Sequence, residues 1–166
     1  MDRSLDPGLT PLKLDLDRYV PGLLVWLSNK MSASASQLYR ERFDLGVTDW
    51  RVLAYIYIYP WSTGAQVCQL IGLDKAAVSR SLGYMEERGL LKSRPSGKRK
   101  VEYAVTAEGR RLYEKIVKVA MARERALLTG YSEKERDLLI QFLHRLLDNL
   151  PAVDRVGADG STTQED

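Results

Sequence analysis

The chain has 166 residues, of which 45% are hydrophobic and 28% charged, and its formal net charge is +3. This balance is typical of a folded globular domain with its own core, and no apolar run approaches the ~20 residues that span a bilayer. The single cysteine, Cys68, excludes an internal disulfide and fits a reducing cytoplasm, and a single histidine argues against a structural zinc site.

The charge is unevenly distributed along the chain. Residues 74–111 contain ten basic and five acidic residues, a net charge of +5. Both ends are acidic, with a net charge of −2 over residues 1–17 and −4 over residues 148–166. A basic segment between acidic ends is common in proteins that bind nucleic acid, although on charge alone an ordinary solvated surface explains it equally well.

The first part of the chain predicts a loose arm and two helices. Residues 1–17 contain prolines and acids and lack the apolar stretch of a secretory signal. Apolar residues at helical spacing predict a long helix from about 18 to 43. Thr48 is the expected N-cap of a second helix, which Pro60 ends. Its segment "YIYIY" alternates like a strand, but the apolar residues around it keep helical spacing and favour a helix.

Two short helices follow, joined by a turn that contains glycine. Ser62 or Thr63 is expected to cap the first helix, and Gly72 to end it. Asp74 is expected to cap the second, which runs to about residue 88. Two short helices with this spacing predict a helix-turn-helix.

A β-hairpin is predicted directly after these helices. Residues 90–95 and 100–105 have the character of strands, and the turn between them lies at 96–99. Helix, helix and hairpin in this order make a winged helix, with the basic sequence "GKRK" at the tip of the wing. Cations concentrated at that position suit a polyanionic partner.

The rest of the chain predicts two long helices, capped by Thr106 and Ser132, the second ending at Pro151. Residues 151–166 are polar and acidic, and we expect them to form a disordered tail. The predicted fold class is therefore mainly α with a small β-hairpin wing. It is a winged helix-turn-helix domain at residues 18–150 with long N- and C-terminal helices.

The helix after Asp74 has two distinct faces. A rotation of 100° per residue puts Val78, Leu82 and Met85 on one stripe that faces the core. The opposite face carries small residues, which let a helix approach a DNA major groove closely, although they could instead pack on a neighbouring element. The predicted DNA contacts are Lys75, Ala76, Ala77, Ser79, Arg80 and Tyr84 in this helix and Lys98, Arg99 and Lys100 in the wing. Arg80 is the expected base reader, since its fork pairs with guanine.

The motifs "TDWRVL", "LIGLDKAAVSRSLGYMEERGLL" and "VTAEG", placed around a basic hairpin and between long helices, resemble the MarR family of bacterial regulators over roughly residues 19–150. The resemblance implies a dimer that binds short pseudo-palindromic operators in double-stranded DNA, usually as a repressor. It also implies release of DNA on binding a small phenolic or aromatic ligand. The family's wing often reads Asp, basic residue, Arg. Here the matching residues are Gly97, Lys98 and Arg99, so Arg99 is either freer or held by Glu102.

The last helix is more apolar than one winged-helix core requires. Its stripe contains Leu138, Leu139, Phe142, Leu143, Leu146, Leu147 and Leu150. A stripe of this width indicates an interface, and the resemblance implies a homodimer formed by the terminal helices. We therefore assign dimerisation to residues of about 18–43 and 107–150, and DNA binding to about 48–106.

The first two helices are rich in aromatic residues with polar side chains among them. Each aromatic residue taken singly is explained by core packing, but together they suit a pocket for an aromatic carboxylate or its thioester. The resemblance places the family's ligand pocket in the same region. The expected lining residues are Trp26, Asn29, Ser32, Tyr39, Trp50, Arg51 and Tyr55, with Arg51 as the partner of the carboxylate.

Three other functions deserve comparison. An enzyme is not expected, because the sequence has no nucleophile elbow, phosphate loop or metal-ligand cluster, and no metal or cofactor is predicted. A redox-responsive regulator would use Cys68, for which packing as a small buried thiol is the preferred interpretation. A winged helix that only binds proteins would not need a basic wing tip.

Overall fold

The computed structural model of the chain describes residues 13–97 and 100–156. The elements are helices and short strands in the order α1 (Val20–Phe43), α2 (Val47–Ile58), β1 (Ser62–Thr63), α3 (Gly64–Ile71), α4 (Lys75–Glu87), β2 (Leu91–Pro95), β3 (Val101–Val105), α5 (Ala107–Leu127), α6 (Glu133–Asp148) and α7 (Leu150–Arg155). The fold is mainly α with a small antiparallel sheet, which confirms the predicted winged helix.

The chain divides into two compact units, Met1–Lys118 and Val119–Asp166. The first unit contains α1 to α4, the sheet and the start of α5. The second contains the end of α5 with α6 and α7. In the part of the chain that the structure describes, no helix is both long and apolar enough to cross a membrane.

The core of the first unit is built around α2 and α4. Burying an aliphatic side chain of this size contributes roughly 1.5–3 kcal/mol. From α4, the predicted stripe of Val78, Leu82 and Met85 is buried. The helix predicted for "YIYIY" is confirmed, because α2 runs through it and buries Val52, Leu53 and Ile56.

Local capping fixes the helix-turn-helix. Thr63 is the N-cap of α3, and its Oγ1 accepts from the backbone N–H of Gln66. Gly72 follows α3 in the left-handed region, with a φ of 67°, and Asp74 Oδ1 accepts from the backbone N–H of Ala77 at 2.9 Å. These three predictions are confirmed, because a cap depends on side chains only three residues away.

The predicted N-cap of α2 is wrong. The helix begins at Val47, so its N-cap is Gly46 and not Thr48. Asp49 explains the shift, because its Oδ2 accepts from the backbone N–H of Gly46 at 2.8 Å. A carboxylate that reaches back from the third helical position selects the residue three before it as the cap.

The sheet has the order β1-β3-β2 and is antiparallel throughout. Strands β2 and β3 form the wing, with Arg94 opposite Glu102. The backbone N–H of Ser96 donates to the carbonyl of Lys100 at 2.7 Å, which closes the turn at its base. Strand β1 was not predicted from the sequence, and it supports β3 from the side opposite β2.

The C-terminal prediction needs one correction. Pro151 does not end the helical part of the chain, because it lies in the first turn of α7. Proline is tolerated there, since its missing N–H would have no partner in a first turn. The expected disordered tail at 151–166 is therefore wrong for residues 151–155, which are helical, and residues 157–166 lie outside the described residues.

Candidate nucleic-acid interface

The outer face of α4 is open to solvent. Lys75, Ala76, Ser79, Arg80 and Tyr84 are exposed, whereas Ala77 and Gly83 are half-buried. A Cβ atom added at Gly83 would meet no atom within 4 Å, so no neighbouring element requires a glycine there. The small residues of this face therefore leave room for a partner at Gly83.

Arg80 and Lys75 carry charges that the described residues leave unpaired. The ion pairs within residues 13–97 and 100–156 join Arg88 to Asp44, Arg94 to Glu102 and Arg111 to Glu108. These pairs neutralise three cations of the basic segment, while the exposed cations of α4 remain available for a partner. The predicted base contact of Arg80 stays a prediction.

Tyr84 has a role that the sequence did not indicate. Its Oη lies 3.0 Å from the carbonyl oxygen of Asp44 and 3.1 Å from Oδ2 of the same residue. Arg88 Nη1 donates to that carbonyl at 2.6 Å. Asp44 follows the last turn of α1, so Tyr84 and Arg88 attach α4 to the end of α1. The expected contact of Tyr84 with DNA stays a prediction.

An open cleft separates α3 and α4 from the wing. Its lining includes the predicted DNA contacts Lys75, Ser79 and Lys100. Cys68 and Glu102 also line it, and neither was predicted as a DNA contact. Cys68 is half-buried, whereas the sequence led us to expect a small buried thiol.

The end of the wing next to its turn is organised by Glu102. Arg94 Nε donates to its Oε2 at 3.0 Å, and Ser96 Oγ donates to its Oε1 at 2.7 Å. These bonds, the one from Ser96 first, hold the pKa of Glu102 below its ordinary value. Arg99, for which the sequence left open a free side chain or a bond to Glu102, lies with Lys98 outside the described residues.

The two faces of the wing differ. Ser93 Oγ donates to Glu86 of α4, so the face that carries Ser93 and its neighbour across the strands, Tyr103, contacts α4. Burial and then the nearby charge of Glu86 raise the pKa of Tyr103. Alternation puts Arg94 and Glu102 on the other face.

The residues expected to line a ligand pocket are brought together only in part. Arg51 Nη2 donates to Ser32 Oγ at 3.0 Å, which joins α2 to α1. Tyr39 and Trp50 make an edge-to-face contact, with ring centroids 6.2 Å apart. Trp26 and Asn29 are instead exposed on α1, and Tyr55 packs against Tyr59.

Tyr113 of α5 was missed in the sequence. Its ring stacks on Tyr57 with a centroid distance of 3.7 Å and on Trp50 at 5.5 Å. The guanidinium of Arg110 lies over the ring of Tyr57, 5.5 Å from the ring centre. Tyr113 could have been found only from the tertiary fold, because it is more than fifty residues from Tyr57 in sequence.

Comparison with known proteins agrees with this geometry. Residues 43–100 match a family model described as MarR family, and no curated protein sequence matches the chain significantly. A MarR/EmrR family transcriptional regulator from Acinetobacter sp. ADP1 is 29% identical, with 84% of this chain and 99% of that chain covered and a TM-score of 0.77.

Two further solved structures share the fold. MepR of S. aureus, solved as a complex with DNA, is 21% identical over 82% of this chain and 99% of its own, with a TM-score of 0.70. PcaV of Streptomyces coelicolor, solved with its natural ligand, is 20% identical over 83% of this chain and 98% of its own, with a TM-score of 0.67. The family model thus covers the helix-turn-helix and most of the wing, and the likeness to the Acinetobacter regulator extends over most of the chain, so the chain is similar to winged-helix transcriptional regulators of the MarR family.

Proposed function

We propose that the chain is a homodimeric repressor that binds a pseudo-palindromic operator, with α4 in the major groove and the wing on the flanking backbone. The observation that carries this function is the outer face of α4, where Arg80 and Lys75 are exposed and unpaired among the described residues. The likeness in fold to MepR, whose structure contains DNA, supports it.

The exposed side chains of α4 have distinct expected roles. Arg80 presents a planar fork that matches the O6 and N7 acceptors of guanine. Lys75 and Ser79, in the first half of the helix and beside the cleft, suit phosphate oxygens, which fix the position of a helix on the duplex. Asp74 caps the start of the helix, because its side chain accepts from the backbone N–H of Ala77.

Homodimerisation is supported by apolar side chains that the monomer leaves in water. In the first unit α1 exposes Val20, Leu23, Leu24, Leu27 and Met31, and in the second unit α6 exposes Leu138, Ile140, Phe142, Leu143, Leu146 and Leu147. Monomeric proteins rarely expose so many large apolar side chains in continuous stretches. A second copy that buries them also supplies a second recognition helix, about one DNA turn away.

An aromatic carboxylate, or a related phenolic compound, is the proposed effector that releases the operator. Arg51 bonds a neutral hydroxyl, Ser32 Oγ. A carboxylate would form a stronger, charge-assisted bond with the same guanidinium. The likeness in fold to PcaV, which was solved with its natural ligand, supports a small-molecule effector.

Replacement of Arg80 by alanine tests the DNA-binding function. We expect Arg80→Ala to lose about 1–3 kcal/mol of binding per half-site on a duplex from the chain's own upstream region. Binding to a random duplex should change much less. Arg155→Ala, which removes an exposed arginine from α7, is the control and should bind like the parent. Parent-like operator binding by Arg80→Ala, with an unchanged circular dichroism spectrum, would show that Arg80 is not a base reader.

A further inference from the structure

The end of the wing next to its turn contains a compact network of polar and aromatic groups. Arg94 reaches Glu102 Oε2 with both Nε, at 3.0 Å, and Nη2, at 2.9 Å. Ser96 Oγ occupies the other carboxylate oxygen at 2.7 Å. Both oxygens of Glu102 are therefore bonded to β2 and to the first residue of the turn.

Trp61 forms the second layer of this network. The guanidinium of Arg94 lies 4.0 Å from the centre of the Trp61 ring, and the ammonium of Lys92 lies 5.4 Å from it. Trp61 has a φ of 62°, which is rare for a bulky residue, and its backbone N–H donates to the carbonyl of Tyr103 at 2.8 Å. Backbone of this kind persists only where the surroundings hold it in place, and it often marks a functional position.

We propose that Glu102 is a positioning residue for DNA binding: together with Arg94, Ser96 and Trp61 it forms a clasp that fixes the direction of the wing. This role rests on the proposed contact between the wing and DNA. A two-stranded hairpin is marginally stable by itself, so its direction depends on its contacts with neighbouring residues such as Trp61. The clasp ties β2, β3 and the residue before β1 to one carboxylate, and Lys100 lies two residues from it.

The clasp differs from an ordinary surface ion pair, which contributes little. The Glu102 side chain is only 20% exposed, and Arg94 contacts it with two nitrogens. The guanidinium is also stacked on an aromatic ring, an arrangement that lysine would not reproduce. Arg94 is therefore occupied within the protein and is not assigned to phosphate.

The direction in which DNA affinity changes when Glu102 is replaced distinguishes the clasp from simple electrostatics. Glu102 lines the cleft beside Lys75 and Lys100, so on charge alone its removal would tighten DNA binding. Its removal would also release Arg94 for phosphate and steepen the salt dependence. Loss of the clasp predicts the opposite, because the wing cations would no longer be held in position.

The test uses Glu102→Gln in the full chain, with binding to the chain's own upstream duplex and to a random duplex measured over a range of salt concentrations. We expect weaker binding to both and a salt slope flatter by about 1.8 per dimer, equal to one lost phosphate contact per subunit. The matched control is Glu108→Gln, which removes the same charge and frees Arg111 on α5. It should not flatten the slope.

Trp61 supplies a direct spectroscopic signal. Glu102→Gln should change the tryptophan emission of the free protein, and the change should disappear in a Trp61→Phe background. Ser96→Ala removes the bond to Glu102 Oε1 and leaves the ion pair with Arg94. It should also weaken DNA binding, and it provides a second test if Glu102→Gln folds poorly.

Two results would overturn the clasp in different ways. If Lys100→Ala flattens the salt slope but Glu102→Gln and Ser96→Ala bind DNA as tightly as the parent or more tightly, Glu102 has no positioning role. If Lys100→Ala and Glu102→Gln both keep the parent slope, the wing does not contact DNA, and that part of the proposed function fails together with the clasp.

Discussion

Gly83→Ala should stabilise the protein and yet weaken its binding to DNA. Gly83 lies inside α4, where glycine costs about 1 kcal/mol relative to alanine. The added Cβ would meet no atom within 4 Å, so nothing in the protein opposes the gain. A gain of about 1 kcal/mol raises the midpoint of thermal unfolding by about 2–4 °C in a protein of this size.

The effect on DNA binding should have the opposite sign. Gly83 follows Arg80 by three residues and therefore lies on the same side of α4. A methyl group forced into a closely packed interface costs about 1–3 kcal/mol, so the affinity for the operator should fall by about 5- to 150-fold. The measurements are thermal unfolding and fluorescence anisotropy with the chain's own upstream duplex.

Gly109→Ala is the control, because the space around this helical glycine is filled. A Cβ at Gly109 would overlap the carbonyl oxygen of Leu90 and lie 2.8 Å from Val105 Cγ1. This variant should be destabilised, although it too replaces a glycine in a helix. If the Gly83→Ala protein is less stable than the parent, the space beside Gly83 on α4 is not open. A more stable one that binds the operator normally would show that the DNA does not approach Gly83 closely.

The remaining predictions concern assembly, the cysteine and the wing. The parent should be a homodimer by light scattering at micromolar concentration, and Leu143→Glu should produce monomers because it puts a charge in the proposed interface; a monomeric parent would contradict the dimer. Cys68→Ser should leave any response to oxidants unchanged, so loss of peroxide-induced DNA release in this variant alone would contradict the packing interpretation. Lys98→Ala combined with Lys100→Ala should weaken operator and random DNA by similar factors and flatten the salt slope by about 0.9 for each lost contact. A double variant with the parent slope would mean that the wing tip is only a solvated turn.

The elements that the sequence predicted correctly depend on short-range signals. Thr63, Gly72 and Asp74 each act on backbone groups within three or four residues, so their effect can be read from the local sequence. The apolar stripe of α4 is equally local, since it follows from the helical repeat. The error at Thr48 also has a local cause, because the carboxylate of Asp49, at the third position of the helix, makes Gly46 the N-cap.

The features that the sequence did not predict depend on residues far apart in the chain. Strand β1 has only two residues, too few to show alternation, and it exists because it pairs with β3 about forty residues later. Tyr84 was assigned to DNA because it lies on the outer face of α4, but the end of α1 places Asp44 within reach of its hydroxyl. The stacking of Tyr113 on Tyr57 likewise needed the fold to bring α5 beside α2.

The net charge of +5 on the basic segment does not by itself assign a role to its cations. The position and partners of each cation decide its role. Arg88 and Arg94 hold acidic partners and organise the protein itself, the first at the end of α1 and the second in the wing next to its turn. Lys75 and Arg80 have no such partner among the described residues and lie on the face that the fold leaves open. In the proposed function, arginines of the same segment therefore divide between holding the protein's own elements in place and contacting DNA. For this reason a loss of binding on replacing Arg94 would report the direction of the wing, whereas the same loss on replacing Arg80 would report a contact.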